Sequence, residues 1–343
     1  MWQLLLYVSL GIILMVGVGF YISAPKYKGK ASDHFDGKKF FNPDCAHPKG
    51  FSDVFKWLLT RKRVPWHKTD FTFGLKPVEK IESGLRITFI NHTTFLIQIN
   101  GLNILTDPIW SERASPFSWS GPKRIQPPGI KMEDLPKIDI ILLSHNHYDH
   151  LDLPSLKKIY DRFKPKIFTG LGVGAFLKRK GLDNFLEMDW WQETTISEEL
   201  QLQAVPAQHF SGRGMFDSNA TLWMGFVIKT NKGNLYFAAD TAYNDYMFQQ
   251  IGDRCAPILV SIIPIGAYQP RWFMSPVHCS PDEAVSIHRD VKSQHSIGSH
   301  FGTFPLADEG KEEPIIDLKK ALQENGIPES KFIALKEGAW NDY

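Results

Sequence analysis

The stretch Ile138 to Asp152, IDIILLSHNHYDHLD, constrains this chain more than any other. Its first part, Ile138 to Leu143, is apolar, rich in isoleucine and set just behind Pro136, which predicts a short buried strand. His145, His147, Asp149 and His150 follow at once, at the strand end, where catalytic groups collect on an exposed rim. Extended backbone alternates sides, so His145, His147 and Asp149 share one face and His150 turns to another. One six-residue segment can then feed two adjacent metal ions. Imidazole and carboxylate donors suit zinc or iron and require no thiolate. The bland alternative is a chance gathering of histidines capping a loop. It is disfavoured because packing these polar rings together without a cation leaves them desolvated and uncompensated.

The chain of 343 residues is long enough for one large two-sheet domain, and 43% hydrophobic with 22% charged residues excludes a disordered chain. Cys45, Cys255 and Cys279 are odd in number and far apart, so no disulfide framework is expected and a reducing compartment fits better. Residues 1–24 carry no charged side chain, and the apolar run from Leu4 to Ile22 predicts a transmembrane helix. A start without Lys or Arg, and Pro25 directly after Ala24, argue against a cleaved signal peptide. Lys26, Lys28, Lys30, Lys38 and Lys39 follow, and by the positive-inside rule they put the body on the cytoplasmic side of a single-pass anchor.

The predicted organisation is therefore an anchor at 1–24, a basic, aromatic, membrane-proximal segment at 25–84 and a catalytic domain at 85–343. From Lys26 to Lys68 there are eleven Lys or Arg against four Asp, a net +7; the whole chain is +2, which leaves −5 for the remainder. Within that segment Trp57, Arg61, Lys62, Arg63 and Trp66 are the residues expected to meet an anionic lipid surface. Nucleic acid and plain packing on the core compete for the same residues. The neighbouring anchor favours lipid, and an acidic body disfavours nucleic acid.

Further along, RITFINHTTFLIQI, the Asn100-Gly101 turn and LNILT predict a hairpin that ends at Asp107. Asp152 and Pro154 open a helix that ends near Phe163. Gly170, Gly172, Gly174 and Ala175 then satisfy a dinucleotide-binding pattern, with Glu187 or Asp189 where a ribose-binding acid falls. The pattern lies downstream of a metal motif that such a unit does not explain, and glycines also serve tight strand-to-helix corners, so the structural reading is preferred. His209, Asp240 and His300 each stand at or just past the end of a predicted strand. His278 precedes the capping box Ser280 to Glu283.

The motif HxHxDH after an apolar strand resembles the metallo-β-lactamase superfamily. SHNHYDHLD, LTDPIWSERASPFSWSGPKR (105–124), EMDWW (187–191) and AYQPRWFMSPVHCSPDEAV (267–285) resemble, more narrowly, the N-acyl-phosphatidylethanolamine-hydrolysing phospholipase D family. The resemblance implies an αββα sandwich with two metals, zinc being the best suited. It assigns His145, His147 and His209 to one metal, Asp149, His150 and His300 to the other, and Asp240 to both. It also implies that Asp107 orients a ligand histidine, with His92 in a similar role. The implied reaction is hydrolysis of N-acyl-phosphatidylethanolamine to N-acylethanolamine and phosphatidate by a metal-bridging hydroxide, with Asp149 and His278 in the chemistry. Phospholipid and the membrane surface are the implied partners. The alternatives are another hydrolase on the same metals (a lactonase, nuclease or β-lactamase) or a membrane metal-binding protein without catalysis.

Overall fold

The computed structural model describes residues 2–43 and 49–343. Alternation of side chains along successive apolar strands builds two sheets. The first takes β1 (Leu85–Asn91), β2 (Thr94–Ile99), β3 (Leu102–Thr106), β4 (Ile140–Leu143), β5 (Lys166–Gly170) and β6 (Phe185–Met188). The chain then crosses to the second sheet: β7 (Glu193–Ser197), β8 (Leu200–Val205), β9 (Gly225–Thr230), β10 (Asn234–Phe237), β11 (Ile258–Pro264), β12 (Ser293–Ser299) and β13 (Phe332–Ile333). It returns as β14 (Trp340–Asp342), which pairs with β1. The orders are β14-β1-β2-β3-β4-β5-β6 and β13-β12-β11-β10-β9-β8-β7. Each sheet is antiparallel in one half and parallel in the other.

The strand pleat sorts the core into layers. Ile104, Ile140 and Leu142 face the space between the sheets, with Phe226, Phe237 and Ile262 in the same cluster. Leu105, Ile141 and Leu143 face outward onto α3 (Leu153–Phe163) and α4 (Val173–Arg179) through Leu156, Ile159 and Phe176. On the other flank, α5 (Asp245–Cys255), α7 (Pro281–Asp290), which follows the short α6 (Arg271–Met274), and α8 (Glu313–Glu324) cover the second sheet with Phe248, Val285 and Leu318. Helices on both outer faces of two packed sheets make the expected αββα sandwich. The rim at which β3, β4, β10 and β12 end is where the polar residues gather.

One local reading changes and others hold. The run from Arg86 to Ile99 is two strands, turned at His92, whose φ is 50°. Asn100 and Gly101, at φ 46° and 74°, make the predicted turn into β3. The glycine pattern is a packing device: a Cβ on Gly170 would lie 2.3 Å from the Leu222 carbonyl oxygen, and one on Gly174 2.2 Å from the Phe185 ring. The Gly174 N–H donates to Glu187 Oε1 at 2.7 Å, so a carboxylate of the chain itself fills the place a pyrophosphate takes in a dinucleotide fold. Cys255 and Cys279 are buried free thiols; Cys45 lies outside the described residues.

The N-terminal expectation needs correction. Residues Trp2–Ile22 do form a helix, α1, but among the described residues no helix is long and apolar enough to cross a membrane. The last turn of α1 is committed to the protein instead. Phe20 stacks on Phe216 at 4.2 Å, Arg179 donates to the Tyr21 and Ser23 carbonyls, and the Ala24 N–H donates to Asp217. The single-pass anchor is withdrawn, and with it the cytoplasmic sidedness inferred from the flanking lysines.

The basic stretch that follows is folded onto the body. Phe35 and Phe40 are each 1% exposed and belong to the main apolar core. His34 is buried against Trp190, with Nδ1 2.6 Å from Asp33 and Nε2 2.7 Å from Asp189. Burial pulls its pKa down, but the two carboxylates outweigh that and raise it above the ordinary value. A raised folded-state pKa stabilises fully below the unfolded histidine value of about 6.5, and the contribution is lost as pH rises through the folded value. His34→Gln is therefore expected to destabilise the protein more at about pH 6 than at about pH 9 in urea unfolding. An equal loss at both would show that the charged imidazole contributes nothing.

Candidate metal centre

Six segments deliver the site. The turn after β1 brings His92; the loop after β4 brings His145, His147, Asp149 and His150; the loop after β8 brings His209. Asp240 follows β10, His278 precedes α7, and His300 follows β12. Among the described residues three groupings of donors lie within 4.8 Å: His145, His147 and His209; His92, Asp149, His150 and His300; and His209, Asp240 and His278. A further one, His145, His150 and Asp240, links the first two. All seven residues assigned to metal from the sequence are thus brought together, and the cluster is able to hold metal.

The geometry separates two neighbouring pockets. In one, His147 Nδ1 lies 2.8 Å from His145 Nε2 and 3.2 Å from His209 Nε2. In the other, Asp149 Oδ2 lies 3.4 Å from both His150 Nε2 and His300 Nε2. Asp240 Oδ2 is 3.1 Å from His150 Nε2, 3.1 Å from His300 Nε2 and 3.6 Å from His209 Nε2, so it stands between them.

Whether these residues fit a cation can be judged from the atoms that point inward. His150 Nε2, His300 Nε2, His278 Nδ1 and Asp240 Oδ1 are buried without a hydrogen-bond partner. Buried polar atoms in such number are rare unless something else satisfies them, and imidazole and carboxylate groups, once the rings give up their protons, are donors that a divalent ion takes.

Electrostatics prepares the donors. Burial, with neighbouring imidazoles, pushes His145 far below the ordinary histidine value, His147 to about 3 and His209 to about 4 despite Asp240. These rings are neutral and keep a free lone pair. Burial acts against ionisation of Asp149 and Asp240, but His150 and His300 outweigh it and hold both carboxylates well below their usual range. His150 is raised well above its usual value and His300 to about 9, since the carboxylates beside them overcome burial. Without a cation, the two carboxylates are therefore compensated by protonated His150 and His300, whose protons a bound cation would displace.

Asp107, with no solvent exposure, holds the loop. Its Oδ1 accepts from the Ser144 N–H at 2.8 Å, and its Oδ2 accepts from Ser144 Oγ at 2.6 Å and His150 Nδ1 at 2.8 Å. Ser144 Oγ in turn lies 2.9 Å from His145 Nδ1. One carboxylate therefore fixes, directly or through a hydroxyl, the ring orientation of a histidine in each pocket. Ser144 was not singled out from the sequence, since a serine between a strand and a histidine carries no signal. His92 Nε2 lies 2.9 Å from Asp149 Oδ2 and orients that carboxylate. His209 Nδ1 is 2.8 Å from the Val277 carbonyl, to which it donates, leaving Nε2 free toward the cluster. His278 Nδ1 stands 4.0 Å from Asp240 Oδ2, nearer the solvent, with its side chain 13% exposed.

The residues expected to meet lipid lie elsewhere, around α2 (Phe51–Thr60). Trp57 Nε1 and Arg61 Nε donate to Asp308 at 3.1 and 3.0 Å, Trp66 Nε1 donates to the Glu309 carbonyl, and Trp57 stacks on Phe273 at 4.9 Å. These three side chains are turned to the body; Lys62 and Arg63 are exposed.

Asp107→Asn retains the shape but loses the charge that grips Ser144 and His150. It is expected to weaken divalent-metal affinity by about 10- to 100-fold in chelator competition while the protein remains folded. Unchanged affinity would show that the loop holds its own geometry.

The family model for the beta-lactamase superfamily domain matches residues 102–301. The chain is 35% identical over 329 residues to N-acyl-phosphatidylethanolamine-hydrolyzing phospholipase D 1 of Caenorhabditis elegans, covering 88% of this chain and 92% of that one. It is 36% identical over 243 residues to the Saccharomyces cerevisiae protein named N-acyl-phosphatidylethanolamine-hydrolyzing phospholipase D, mitochondrial, over 69% of this chain and 51% of that one. Among solved structures, Igni18, a metallo hydrolase from Ignicoccus hospitalis, matches with a TM-score of 0.58 at 20% identity over 76% of this chain and 99% of its own. An isothiocyanate hydrolase from Delia radicum gut bacteria matches with 0.60 at 19% identity, over 75% and 99%. At such identities the two structures speak for the fold alone. With that fold, a donor cluster able to hold metal, and a relative 35% identical over 92% of its own length, the chain is a metal-dependent hydrolase that belongs to the N-acyl-phosphatidylethanolamine-hydrolysing phospholipase D family of the β-lactamase superfamily.

Proposed function

We propose that the chain hydrolyses N-acyl-phosphatidylethanolamine to N-acylethanolamine and phosphatidate, with two divalent cations, zinc being the best match to the donor set. The observation that carries the reading is the position of Asp240, whose single Oδ2 lies within 3.6 Å of donors from both pockets, in a chain similar almost end to end to an enzyme named for this reaction. His145, His147 and His209 would hold one cation and Asp149, His150 and His300 the other, with Asp240 shared. Seven nitrogen and oxygen donors exceed what one tetrahedral ion takes. Bound there, such cations supply Lewis acidity and a water of lowered pKa.

The chain's own groups supply the rest. Asp107 and His92 keep the donor rings and the Asp149 carboxylate aimed inward. His278 is held neutral by burial, so a ring N–H is available to a phosphate oxygen or to the departing alkoxide of the N-acylethanolamine. Its place at the outer side of Asp240 suits a substrate entering from solvent or from a lipid surface. The test is turnover of N-acyl-phosphatidylethanolamine in mixed micelles by metal-loaded protein, beside a soluble phosphodiester, a lactone and a β-lactam. The lipid is expected to be the preferred substrate; preference for any of the other three overturns the phospholipase reading and leaves the hydrolase fold.

A membrane surface is the proposed source of the lipid. Phe55, Leu58 and Leu59 of α2 are 58%, 53% and 71% exposed on one helical face, with Lys62 and Arg63 exposed just beyond. Each basic residue near an anionic surface contributes roughly 1 kcal/mol. The pair Lys62→Glu and Arg63→Glu is expected to weaken cosedimentation with anionic vesicles at least tenfold and to spare turnover of a short-chain soluble diester. Unchanged cosedimentation would remove this face from the membrane contact.

A further inference from the structure

The segment from Pro25 to Pro43 lies outside the matched superfamily domain, yet it reaches the metal cluster. Asn42, 9% exposed, donates from Nδ2 to the backbone carbonyl of His209 at 2.8 Å. Its Oδ1 accepts from Trp223 Nε1 at 3.1 Å, and that same indole N–H lies 2.9 Å from the Ala207 carbonyl. His209 sits in a loop after β8, so no sheet ladder holds its carbonyl. The other side of the loop is tied to the residues just after Asp240: the Gln208 N–H donates to Thr241 Oγ1 and the Ala242 N–H to the Gln208 carbonyl.

We infer that this N-terminal arm is a working part of the metal centre and that Asn42 is the positioning residue through which it fixes His209. The inference rests on the reading of His209 as a metal ligand. The arm is itself firmly placed. The Tyr27 N–H donates to the Ala220 carbonyl, the Phe40 N–H to the Asn219 carbonyl, and His34 is gripped between Asp33 and Asp189. Phe35 and Phe40, seven and two residues before Asn42, are buried, so the amide is delivered from a packed segment rather than a loose one. A histidine ligand needs its ring placed closely, and its backbone sets where the ring begins. The ring is held by the Val277 carbonyl and the His209 carbonyl by Asn42, so the ligand is gripped at both ends.

The test is Asn42→Asp, which keeps the size and the acceptor for Trp223 but loses the donor to His209, with Asn42→Ala as a second variant should the buried carboxylate impair folding. Each is loaded with Zn²⁺ or Co²⁺ and titrated with a chromophoric chelator. The expected result is that one of two bound equivalents is released about tenfold more readily while the other is retained within about twofold, with a changed Co²⁺ absorption band. Thermal unfolding of the metal-free variants serves as the control for a purely structural role. Wild-type affinity for both equivalents in a folded variant overturns the inference. So does parallel weakening of both equivalents that merely tracks lost stability. A wild-type protein that binds no divalent ion overturns the ligand reading and the inference together, whereas metal-replete wild type with unaffected variants overturns the inference alone.

Discussion

Asp107 directly follows β3 with its carboxylate wholly withdrawn from water, and it offers its two oxygens to one backbone N–H, one hydroxyl and one imidazole of the loop that follows β4. A buried carboxylate is tolerable only when so satisfied. The arrangement couples two adjacent parallel strands at their ends, and it converts a flexible six-residue loop into a fixed display of donors. His145 and His150 are aimed through it, one by way of Ser144 and one directly. Everything the cluster can do depends on rings that cannot rotate, and this contact is the one that stops both pockets from rotating at once.

The sandwich supplies the other half of the geometry. Donors from the first sheet meet donors from the second only because both sheets end at the same rim, and the chain distorts its backbone there. His92, Asp107, Ala239 and His300 all have positive φ, between 31° and 60°, a region that costs residues other than glycine about 1 kcal/mol or more each. The His300 N–H donates to the His92 carbonyl and the His92 N–H to Thr303 Oγ1, so these strained turns brace each other. Strain collected at the mouths of otherwise regular strands is consistent with selection for where the side chains point rather than for stability.

Much of this is written plainly in the residues. An apolar strand running into HxHxDH, and single His or Asp residues at later strand ends, announced both the fold and the cluster. What escaped has identifiable causes. The turn at His92 is hidden because Arg86 to Ile99 is apolar and β-branched on both sides of it, so it reads as one long strand. β14 is three residues of Trp, Asn and Asp, without alternation, and is defined only by its partner β1. The arm before Asn42 shows a run of lysines, which suggested a surface, while its three packing rings, Tyr27, Phe35 and Phe40, follow no helical or strand period. Trp57, Arg61 and Trp66 read as a lipid-facing set because sequence does not reveal that Asp308 and the Glu309 carbonyl await them. The glycine pattern at 170–174 reads as a tight corner in preference to a phosphate site, and the close contacts at Gly170 and Gly174 agree, although packing and phosphate binding ask for the same residue.

In the proposed reaction, water supported by the cations that this rim would hold attacks the phosphorus of the phosphodiester, so that the bond cleaved would be the one between phosphorus and the oxygen of the N-acylethanolamine. Hydrolysis of N-acyl-phosphatidylethanolamine in ¹⁸O-labelled water, with both products analysed by mass spectrometry, tests it most directly. The account predicts one labelled oxygen in phosphatidate and none in N-acylethanolamine, with the reaction abolished by chelation and restored by added divalent metal. Label in the N-acylethanolamine, or turnover that persists in metal-stripped protein, would contradict it.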